Sequence, residues 1–471
     1  MSYRSAPFGG GQGVYVKNLS KALTNLGHKV TVFSGPPYPD LDKEVDLIES
    51  PGLNLFETFN FKDRIYTFIR QKNKTFTDFY EFLSVLAGGF PEMKIFGKRA
   101  KKHLLKNNYD VVIDNQSISY AMEYIQITNP LIEVIHHPIT KDLNHELATS
   151  KNIIYKLSRY RWYSFLKMQK KVAPKLRNIL TVSESSKRDI IADFKVSSNN
   201  ISVINNAIDT SIFRPYPDVK RKPHKLITTA SADVPLKGLD YSLYALASLK
   251  EKFSDIELSV IGMPRVGGHT ERLIKELDLS QRINFKTNLT KEEIAEEYAE
   301  SSIAIVSSLY EGFGYPVGEA MSCSIPLIAT NVASIPEITE DFATLIPTKN
   351  HEALASAITE IFSKPDMYNI KAKKGRIHIK EKFNELLIAK QYENKIWQFW
   401  ITNGSSYTSN IQMQKGIVLL GNGKLNEALE LFVDLSKKEP FWSEPINKIA
   451  TIKFLKGDML GSIKDIELTL A

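Results

Sequence analysis

Glu311-Gly-Phe-Gly-Tyr-Pro-Val-Gly-Glu319 is a glycine-bearing loop that runs into a short helix. An apolar run at 302–306 precedes it, and a second apolar run follows at 325–330. Both runs have the length of buried strands, so the sequence predicts a parallel βαβ unit. Such units bind ligands beyond the carboxyl ends of their strands, where this loop lies. Gly312 and Gly314 allow backbone N–H groups to approach a phosphate, and the helix directs its positive end to the same place.

Two carboxylates stand eight residues apart at the ends of this stretch, and neither is needed for packing. Each can accept hydrogen bonds from a vicinal diol, which suits sugar hydroxyls. The string 308–321, followed by Ile335-Pro-Glu337, resembles the signature of family-four retaining glycosyltransferases of the GT-B fold, also called glycosyl transferases group 1. A pair of surface charges on a loop and a helix is the alternative interpretation of Glu311 and Glu319.

The resemblance implies a donor site built around this loop. Glu319 would hold the ribose hydroxyls of a nucleotide, and Glu311 would contact the donor sugar near its 3-hydroxyl. The backbone amides around the sugar and the phosphate would be those of Gly312, Phe313 and Gly314.

A cation is expected beside the leaving group. Lys237, followed by Gly238 at a predicted helix start, matches a lysine that the family places there. A fixed cation beside a helix N-terminus would stabilise a departing diphosphate. Many relatives carry an arginine five or six residues earlier, where this chain has Ser231 and Ala232. The difference removes one phosphate contact and leaves open which basic residue replaces it. An ordinary solvated lysine is the alternative for Lys237.

A glycine-rich loop near the start of the chain resembles the loop that borders the transferred sugar and the acceptor. Its candidate donor-binding residues are Gly10, Gly11 and Gly13. His136 and His137 end a predicted parallel strand, and the resemblance implies a histidine there that contacts the donor sugar. The sequence does not decide between the two, and a structural or solvated histidine is the alternative. Together with Lys237 and Glu311, they form the predicted catalytic set.

The strand that should lead into the first glycine loop is missing. Strands usually have about five or six residues, and residues 1–4 are too few to form one. In a doubly wound sheet this strand is central, so an unfilled position would leave buried backbone groups unpaired at about 1–3 kcal/mol each. We therefore expect a truncated or misassigned start and a natural product with a short apolar N-terminal extension.

Length and composition bound the rest of the interpretation. The chain of 471 residues is too long to form a single core, so two or three domains are expected. Its residues are 43% hydrophobic and 24% charged, as in an ordinary soluble globular protein, and its net charge is +8. The single Cys323 excludes a disulfide framework and fits a reducing cytosol. No run of about eighteen apolar residues predicts a transmembrane helix. The protein is expected in the cytoplasm, with peripheral association with the inner face of the cell membrane left open.

Alternating strands and helices predict an α/β protein with two Rossmann-like, doubly wound domains that face a cleft, the GT-B arrangement. The predicted strands are 29–33, 109–114, 131–135, 178–183 and 201–204 in the first domain, and 225–229, 256–262, 283–285, 302–306 and 325–330 in the second. The expected divisions are 1–215 for the acceptor-side domain, 223–380 for the nucleotide-sugar domain, 381–402 for helices that cross back, and 408–471 for a small all-α segment.

The all-α segment shows an internal period. Gly423 and Gly457 begin similar strings 34 residues apart, which is the tetratricopeptide period. Two copies are fewer than the usual three, so the segment is expected to pack against the catalytic domains or to bind a protein partner. Helical packing without any repeat homology is the alternative.

The stretch 151–177 is basic and aromatic. It contains nine Lys or Arg and no Asp or Glu, interleaved with tyrosine, tryptophan and phenylalanine. This composition suits an anionic membrane surface or a polyanionic acceptor. An amphipathic helix with a solvated basic face is the alternative, and no nucleic-acid partner is expected.

The sequence thus predicts a retaining glycosyltransferase that moves a hexosyl unit from a UDP- or GDP-linked sugar to a hydroxyl of a glycan, a lipid-linked acceptor or another acceptor. The product would belong to cell-surface polysaccharide or glycoconjugate synthesis. No cofactor or metal is expected, since Asp40 and Asp42 read as a solvated loop. The alternatives are a degenerate transferase that serves as a tetratricopeptide scaffold, and a nucleotide-sugar synthase or phosphorylase on the same fold.

Overall fold

Two parallel sheets with helices packed around them form the frame of the protein. The computed structural model describes residues 1–6, 11–55, 60–71, 74–149, 152–230, 233–439 and 442–470. Each sheet has its own buried apolar core, and the last helices of the chain return to the first domain. The predicted fold class is confirmed.

The first domain begins with a helix that carries its apolar residues on one face. Its strands are β1 Thr31–Ser34, β2 Asp46–Glu49, β3 Val112–Asn115, β4 Leu131–Val134, β5 Ile179–Thr181 and β6 Ile201–Val203. Its helices are α1 Gly11–Asn25, α2 Phe61–Arg70, α3 Phe76–Leu86, α4 Glu92–Leu104, α5 Tyr120–Thr128, α6 Thr140–Thr149, α7 Ile153–Trp162, α8 Leu166–Val172 and α9 Glu184–Phe194. Strands β1 and β2 pair in parallel, as do β3 to β6 in sequence order.

The first residues of the chain join these two groups of strands. Ser2 pairs in parallel with Ser34 of β1 and with Asn115 of β3. The N–H of Ser2 donates to the carbonyl of Phe33, and the N–H of Asn115 donates to the carbonyl of Met1, each at 2.9 Å. We expected residues 1–4 to leave the central strand position unfilled. At the carboxyl ends of β1 and β3 this expectation is wrong, because Ser2 pairs with both strands there. Toward the amino ends of β1 and β3, a groove lies beside Met1.

The second domain has the doubly wound strand order. Its strands are β7 Lys225–Thr229, β8 Glu257–Ile261, β9 Ile283–Lys286, β10 Ile303–Val306, β11 Leu327–Thr330 and β12 Thr344–Ile346. They pair in parallel in the order β12-β11-β10-β7-β8-β9, so the winding reverses between β7 and β10. Its helices are α10 Leu239–Leu249, α11 His269–Glu276, α12 Lys291–Glu300, α13 Tyr315–Ser322, α14 Ile335–Thr339, α15 His351–Ser363 and α16 Pro365–Lys382. Ligands bind where the winding reverses, at the carboxyl ends of the strands.

The remaining helices are α17 Glu385–Gly421, α18 Leu425–Lys438, α19 Ser443–Leu455 and α20 Met459–Leu470. The predicted division between 402 and 408 is wrong, because α17 runs through it as one continuous helix. A glycine inside a helix costs only about 1 kcal/mol, which does not stop a long helix that packs elsewhere. The hydroxyls of Tyr392 and Tyr15 lie 3.0 Å apart and join α17 to α1.

Gly423 and Gly457 occupy equivalent places in the C-terminal helices. Each follows the end of a helix with a left-handed backbone, at φ of 75° and 86°. The 34-residue spacing therefore corresponds to a repeated helix end, while membership of the tetratricopeptide class stays a prediction.

Gly13 is needed for close approach of the backbone. A Cβ added to Gly13 in α1 would lie 2.1 Å from the carbonyl oxygen of Ala6. We expect Gly13→Ala to lower the free energy of unfolding of the first domain by about 1–3 kcal/mol, because the crowded atom is backbone and cannot rotate away. Gly421→Ala is the matched control, since nothing lies within 4 Å of the added atom. Urea unfolding of the two variants measures the difference, and equal stabilities would contradict the expectation.

Candidate active site

The loops that follow β7 and β10 meet where the winding reverses. Lys237 ends a short 3-10 turn at 235–237, and its Nζ donates to Oε1 of Glu311 at 2.7 Å. The hydroxyl of Ser308 donates to the same oxygen at 2.7 Å. Glu311 is buried, whereas about a third of the Lys237 side chain is exposed. The structure thus brings together two predicted residues that lie far apart in sequence.

Two helices begin beside this ion pair. Gly238 precedes α10 at φ 63°, and Gly314 precedes α13 at φ 99°, and neither start has a side-chain cap. A Cβ on Gly238 would lie 2.1 Å from the carbonyl oxygen of Ser307, so this position requires glycine. Uncapped helix N-termini present free N–H groups and a positive end, which together favour an anion such as a phosphate.

Glu319 lies in α13, behind the glycine loop. Its surroundings raise the pKa of Glu319 to about 7, because burial disfavours the charged carboxylate, while Lys291 acts in the opposite direction. The Nζ of Lys291 donates to Oδ1 of Asn18 in α1 at 2.9 Å, so this lysine also contacts the first domain. A carboxyl with this pKa is ready to change its protonation state when a ligand binds near neutral pH.

The two predicted histidines have different partners. Nε2 of His136 lies 2.7 Å from Oδ1 of Asn115, and its ring packs edge-on against Tyr15 with centroids 4.6 Å apart. Burial, and secondly the neighbouring His137, lower the pKa of His136 to about 3, so this ring is neutral at physiological pH. Nε2 of His137 lies 3.0 Å from Oδ2 of Asp142, where a carboxylate can orient the ring.

The glycine loop of the second domain touches the first domain. A Cβ on Gly312 would lie 2.9 Å from the carbonyl oxygen of His136. The hydroxyls of Ser183 and Ser186, at the start of α9, donate to the carbonyl of Gly312 at 2.7 and 3.1 Å. Glycine at this position therefore allows the two domains to meet directly at the site.

Glu337 of α14 makes a second connection between the domains. Its carboxylate accepts hydrogen bonds from the N–H groups of Glu184 and Ser185 at 2.8 and 2.7 Å, and so caps α9 of the other domain. The hydroxyl of Tyr310 donates to Oδ2 of Asp189 at 2.9 Å beside it. In the sequence, Glu337 was noted only as part of the Ile335-Pro-Glu337 motif. Its fixed distance from the glycine loop is the feature that could have indicated a role in joining the domains.

The first glycine loop is described only in part. Gly10 lies outside the described residues, as do Ser231 and Ala232, where the arginine difference falls. A Cβ on Gly11 would lie 3.7 Å from the ring of Tyr315, which brings the start of α1 to the start of α13. Gly11 therefore lies at the meeting of the two domains.

In the described part of the chain, no group of three or more His, Cys, Asp or Glu side chains could hold a metal ion. Asp40 pairs with Lys17 at 2.6 Å, and Asp42 lies 3.9 Å from Lys21. No described helix is both long and apolar enough to cross a membrane.

Comparison with known proteins matches both domains to one kind of enzyme. The family described as Glycosyltransferase Family 4 matches residues 9–212, and the family described as Glycosyl transferases group 1 matches residues 216–378. The MMP alpha-(1->4)-mannosyltransferase of Mycolicibacterium hassiacum is 37% identical over 398 residues, which cover 83% of this chain and 95% of that protein. The chain belongs to the family-four glycosyltransferases.

Solved structures of proteins with low sequence identity to this glycosyltransferase have the same fold. Sucrose-phosphate synthase from Thermosynechococcus elongatus matches with a TM-score of 0.64 at 20% identity, over 85% of this chain and 95% of that one. Anabaena HepE, solved in complex with UDP-glucose, matches with a TM-score of 0.61 at 14% identity, over 84% of this chain and 99% of that one. The predicted GT-B arrangement of this glycosyltransferase is thereby confirmed.

The Glu337 contact generates a test of how the domains are held. We expect Glu337→Gln to weaken the closed arrangement, because a neutral amide is a poorer partner than a carboxylate for the positive end of α9. Small-angle scattering should show a larger radius of gyration, and kcat/KM should fall about tenfold, the loss expected from one charged hydrogen bond. Glu340→Gln is the matched control, since Glu340 pairs with Lys382 inside the second domain. Identical scattering of the two variants would contradict the expectation.

Proposed function

We propose that this glycosyltransferase moves a hexosyl unit, with mannose as the first candidate, from a nucleotide sugar to a glycan hydroxyl with retention of the anomeric configuration. The observation that carries the proposal is the Lys237–Glu311 pair between two uncapped helix N-termini. This arrangement offers a cation and free N–H groups to a diphosphate and a carboxylate to the attached sugar. The 37% identity to a mannosyltransferase supports mannose and a glycan acceptor.

Three side chains receive roles in donor binding. Glu319 would accept hydrogen bonds from the ribose hydroxyls once it is deprotonated. Glu311, held by Ser308 and Lys237, would accept one from a hydroxyl of the transferred sugar. Lys237 would divide its interactions between Glu311 and the diphosphate, where its charge counts most as the leaving group departs.

The chemical step follows from which groups can move protons. Nε2 of His136 is engaged with Asn115, and its low pKa makes the ring a weak base for the acceptor's proton. We therefore assign the acceptor's proton to the departing phosphate oxygen. The bond from the anomeric carbon to the phosphate oxygen breaks, and the acceptor oxygen bonds to that carbon on the same face. The configuration is thus retained without a covalent enzyme intermediate.

Cations of the protein would serve where other transferases use a metal. Lys237 and the starts of α10 and α13 supply positive charge at one place. The proposed reaction therefore runs without a divalent ion, and undiminished activity in EDTA is the expected result.

A donor panel tests the function. The purified chain is incubated with GDP-mannose, UDP-glucose and UDP-N-acetylglucosamine together with mannan oligosaccharides, and NMR coupling constants report the anomeric configuration of the product. Lys237→Met should lower kcat about 10²–10³-fold, because the charge acts mainly in the transition state. Lys250→Met, at the far end of α10, is the matched control. Product of inverted configuration, or no transfer from any donor, would refute the proposal.

The raised pKa of Glu319 generates a pH test. Ribose hydroxyls donate to the carboxylate and so lower its pKa in the complex, which means that donor binding releases a proton when the pH is below about 7. The donor Kd should therefore rise by up to about tenfold per pH unit as the pH falls below 7. Calorimetry should show this slope abolished in Glu319→Gln and kept in Glu385→Gln, whose carboxyl pKa is also raised by burial. A slope that persists in Glu319→Gln would remove Glu319 from the donor site.

A further inference from the structure

Helix α3 is inverted relative to an ordinary surface helix. Its buried residues are Val85 and two carboxylates, Asp78 and Glu81, which are each only 2% exposed. Its outward face carries large apolar side chains at helical spacing, namely Phe76, Phe79, Tyr80 and Leu83, and Phe76 is 90% exposed. A helix that packs against its own domain normally does the reverse. Packing within the domain therefore does not explain why the exposed face of α3 is apolar.

The buried carboxylates of α3 are held in place by specific partners. Arg99 of α4 lies 2.9 Å from Oδ1 of Asp78 and 3.6 Å from Oε2 of Glu81. Asp78 also accepts from the N–H and hydroxyl of Thr75 in a capping box. Burial raises the pKa of Glu81, while Arg99 opposes this. These contacts fix the orientation of α3, so the outward apolar face is a built feature of the domain.

Helices α2 and α7 extend the same surface. The ring of Phe68 in α2 stacks on Phe82 in α3 with centroids 4.2 Å apart. A Cβ on Gly88, just after α3, would lie 3.4 Å from the side chain of Arg161 in α7. Neither α2 nor α7 has a buried residue. Their exposed large apolar side chains are Phe61, Tyr66 and Ile69 on α2, and Ile153, Ile154, Tyr155, Leu157 and Tyr160 on α7.

The basic stretch 151–177 contributes only in part to this surface. Its second half forms α8, which buries Leu166, Met168 and Val172 in the first core. The first half forms α7, which contains basic residues and no acidic ones. The alternative of a packed helix with a solvated basic face thus describes α8, whereas α7 has no buried residue.

The exposed charges at this surface are mainly positive. Lys62 and Arg70 are exposed on α2, and the Nζ of Lys94 lies 4.8 Å from the ring centroid of Tyr80 on α3. On the described parts of α2, α3 and α7, Asp63 is the exposed acidic residue, since the carboxylates of α3 face inward. Aromatic, aliphatic and basic side chains together match the boundary between headgroups and acyl chains of an anionic bilayer.

We propose that the outward face of α2, α3 and α7 docks the first domain on an anionic membrane surface. The aliphatic side chains enter the outer acyl region, the tyrosines lie at the interface, and the cations contact lipid phosphates. The inward turn of Asp78 and Glu81 removes the charges that an anionic surface would repel. The docking requires no particular donor or acceptor of the transfer reaction.

Vesicle co-sedimentation of the full chain tests the proposal. Vesicles of phosphatidylcholine alone are compared with equal parts of phosphatidylcholine and phosphatidylglycerol. Binding should require the anionic lipid and weaken as salt rises from about 0.1 M to about 1 M, because the Debye length falls from about 10 Å to about 3 Å. Phe76→Ser with Leu83→Ser, and separately Lys62→Glu with Arg70→Glu, should each lower the partition coefficient about tenfold.

A matched control changes exposed apolar residues elsewhere. Leu460→Ser with Ile463→Ser on α20 should bind anionic vesicles like the unchanged chain, since these side chains are exposed but lie in the C-terminal helices. All altered side chains are exposed, so melting temperatures should not change. Equal binding to both vesicle types, or unchanged binding of both α2 and α3 variants, would overturn the proposal. A dimer in solution that the α3 variant converts to monomer would show that a second copy occupies this face instead.

Discussion

The adjacency of β7 and β10 is the constraint on which the site depends. Parallel pairing of these strands places the loop after each one at the same edge of the sheet. Gly238 approaches the carbonyl of Ser307 so closely that no side chain fits between them. The hydroxyl of Ser307 in turn donates to the carbonyl of Gly238 at 2.9 Å, which ties the two loops together. The Lys237–Glu311 contact is therefore a consequence of backbone packing rather than of two flexible side chains meeting by chance.

The same loops depend on the first domain for their final position. The carbonyl of Gly312 receives hydrogen bonds from Ser183 and Ser186, and Glu337 caps α9 from across the cleft. These bonds satisfy groups that would otherwise need water, namely a loop carbonyl and the free N–H groups of a helix start. Separation of the domains would expose both sets at once. The closed arrangement is thus stabilised by polar contacts at the site itself, and such contacts can exchange with water when the cleft opens.

The sequence predicted the parts of the fold that local pattern determines. Strand β7 was predicted with its observed bounds, because Leu226 and Ile227 are followed by two β-branched threonines and preceded by Pro223. Strand β2, Asp-Leu-Ile-Glu, was missed because acidic residues, which are depleted in strands, flank its two apolar residues. The continuity of α17 was missed because Gly404 and the two serines after it are weaker helix formers than alanine or leucine, which favours a helix end there.

Motifs in the sequence named candidate site residues that the structure brings together, but they did not name residues whose partners lie in the other domain. Glu311 and Lys237 were named from sequence and lie together. Ser183, Ser186 and Glu337 were not named as site residues, since their partners are backbone groups in the other domain. Periodicity cannot reveal such partners.

The inverted α3 shows a related limit of sequence reasoning. Helical periodicity identifies two faces but does not say which one is turned toward the domain. That choice was made here by Arg99, whose guanidinium lies where Asp78 and Glu81 can both reach it. Turning α3 over would take both carboxylates away from this partly buried guanidinium and leave its charge without these partners. The apolar surface thus follows from an ion-pair cluster beneath it, and the physical cause of the proposed docking face lies on the opposite side of the helix.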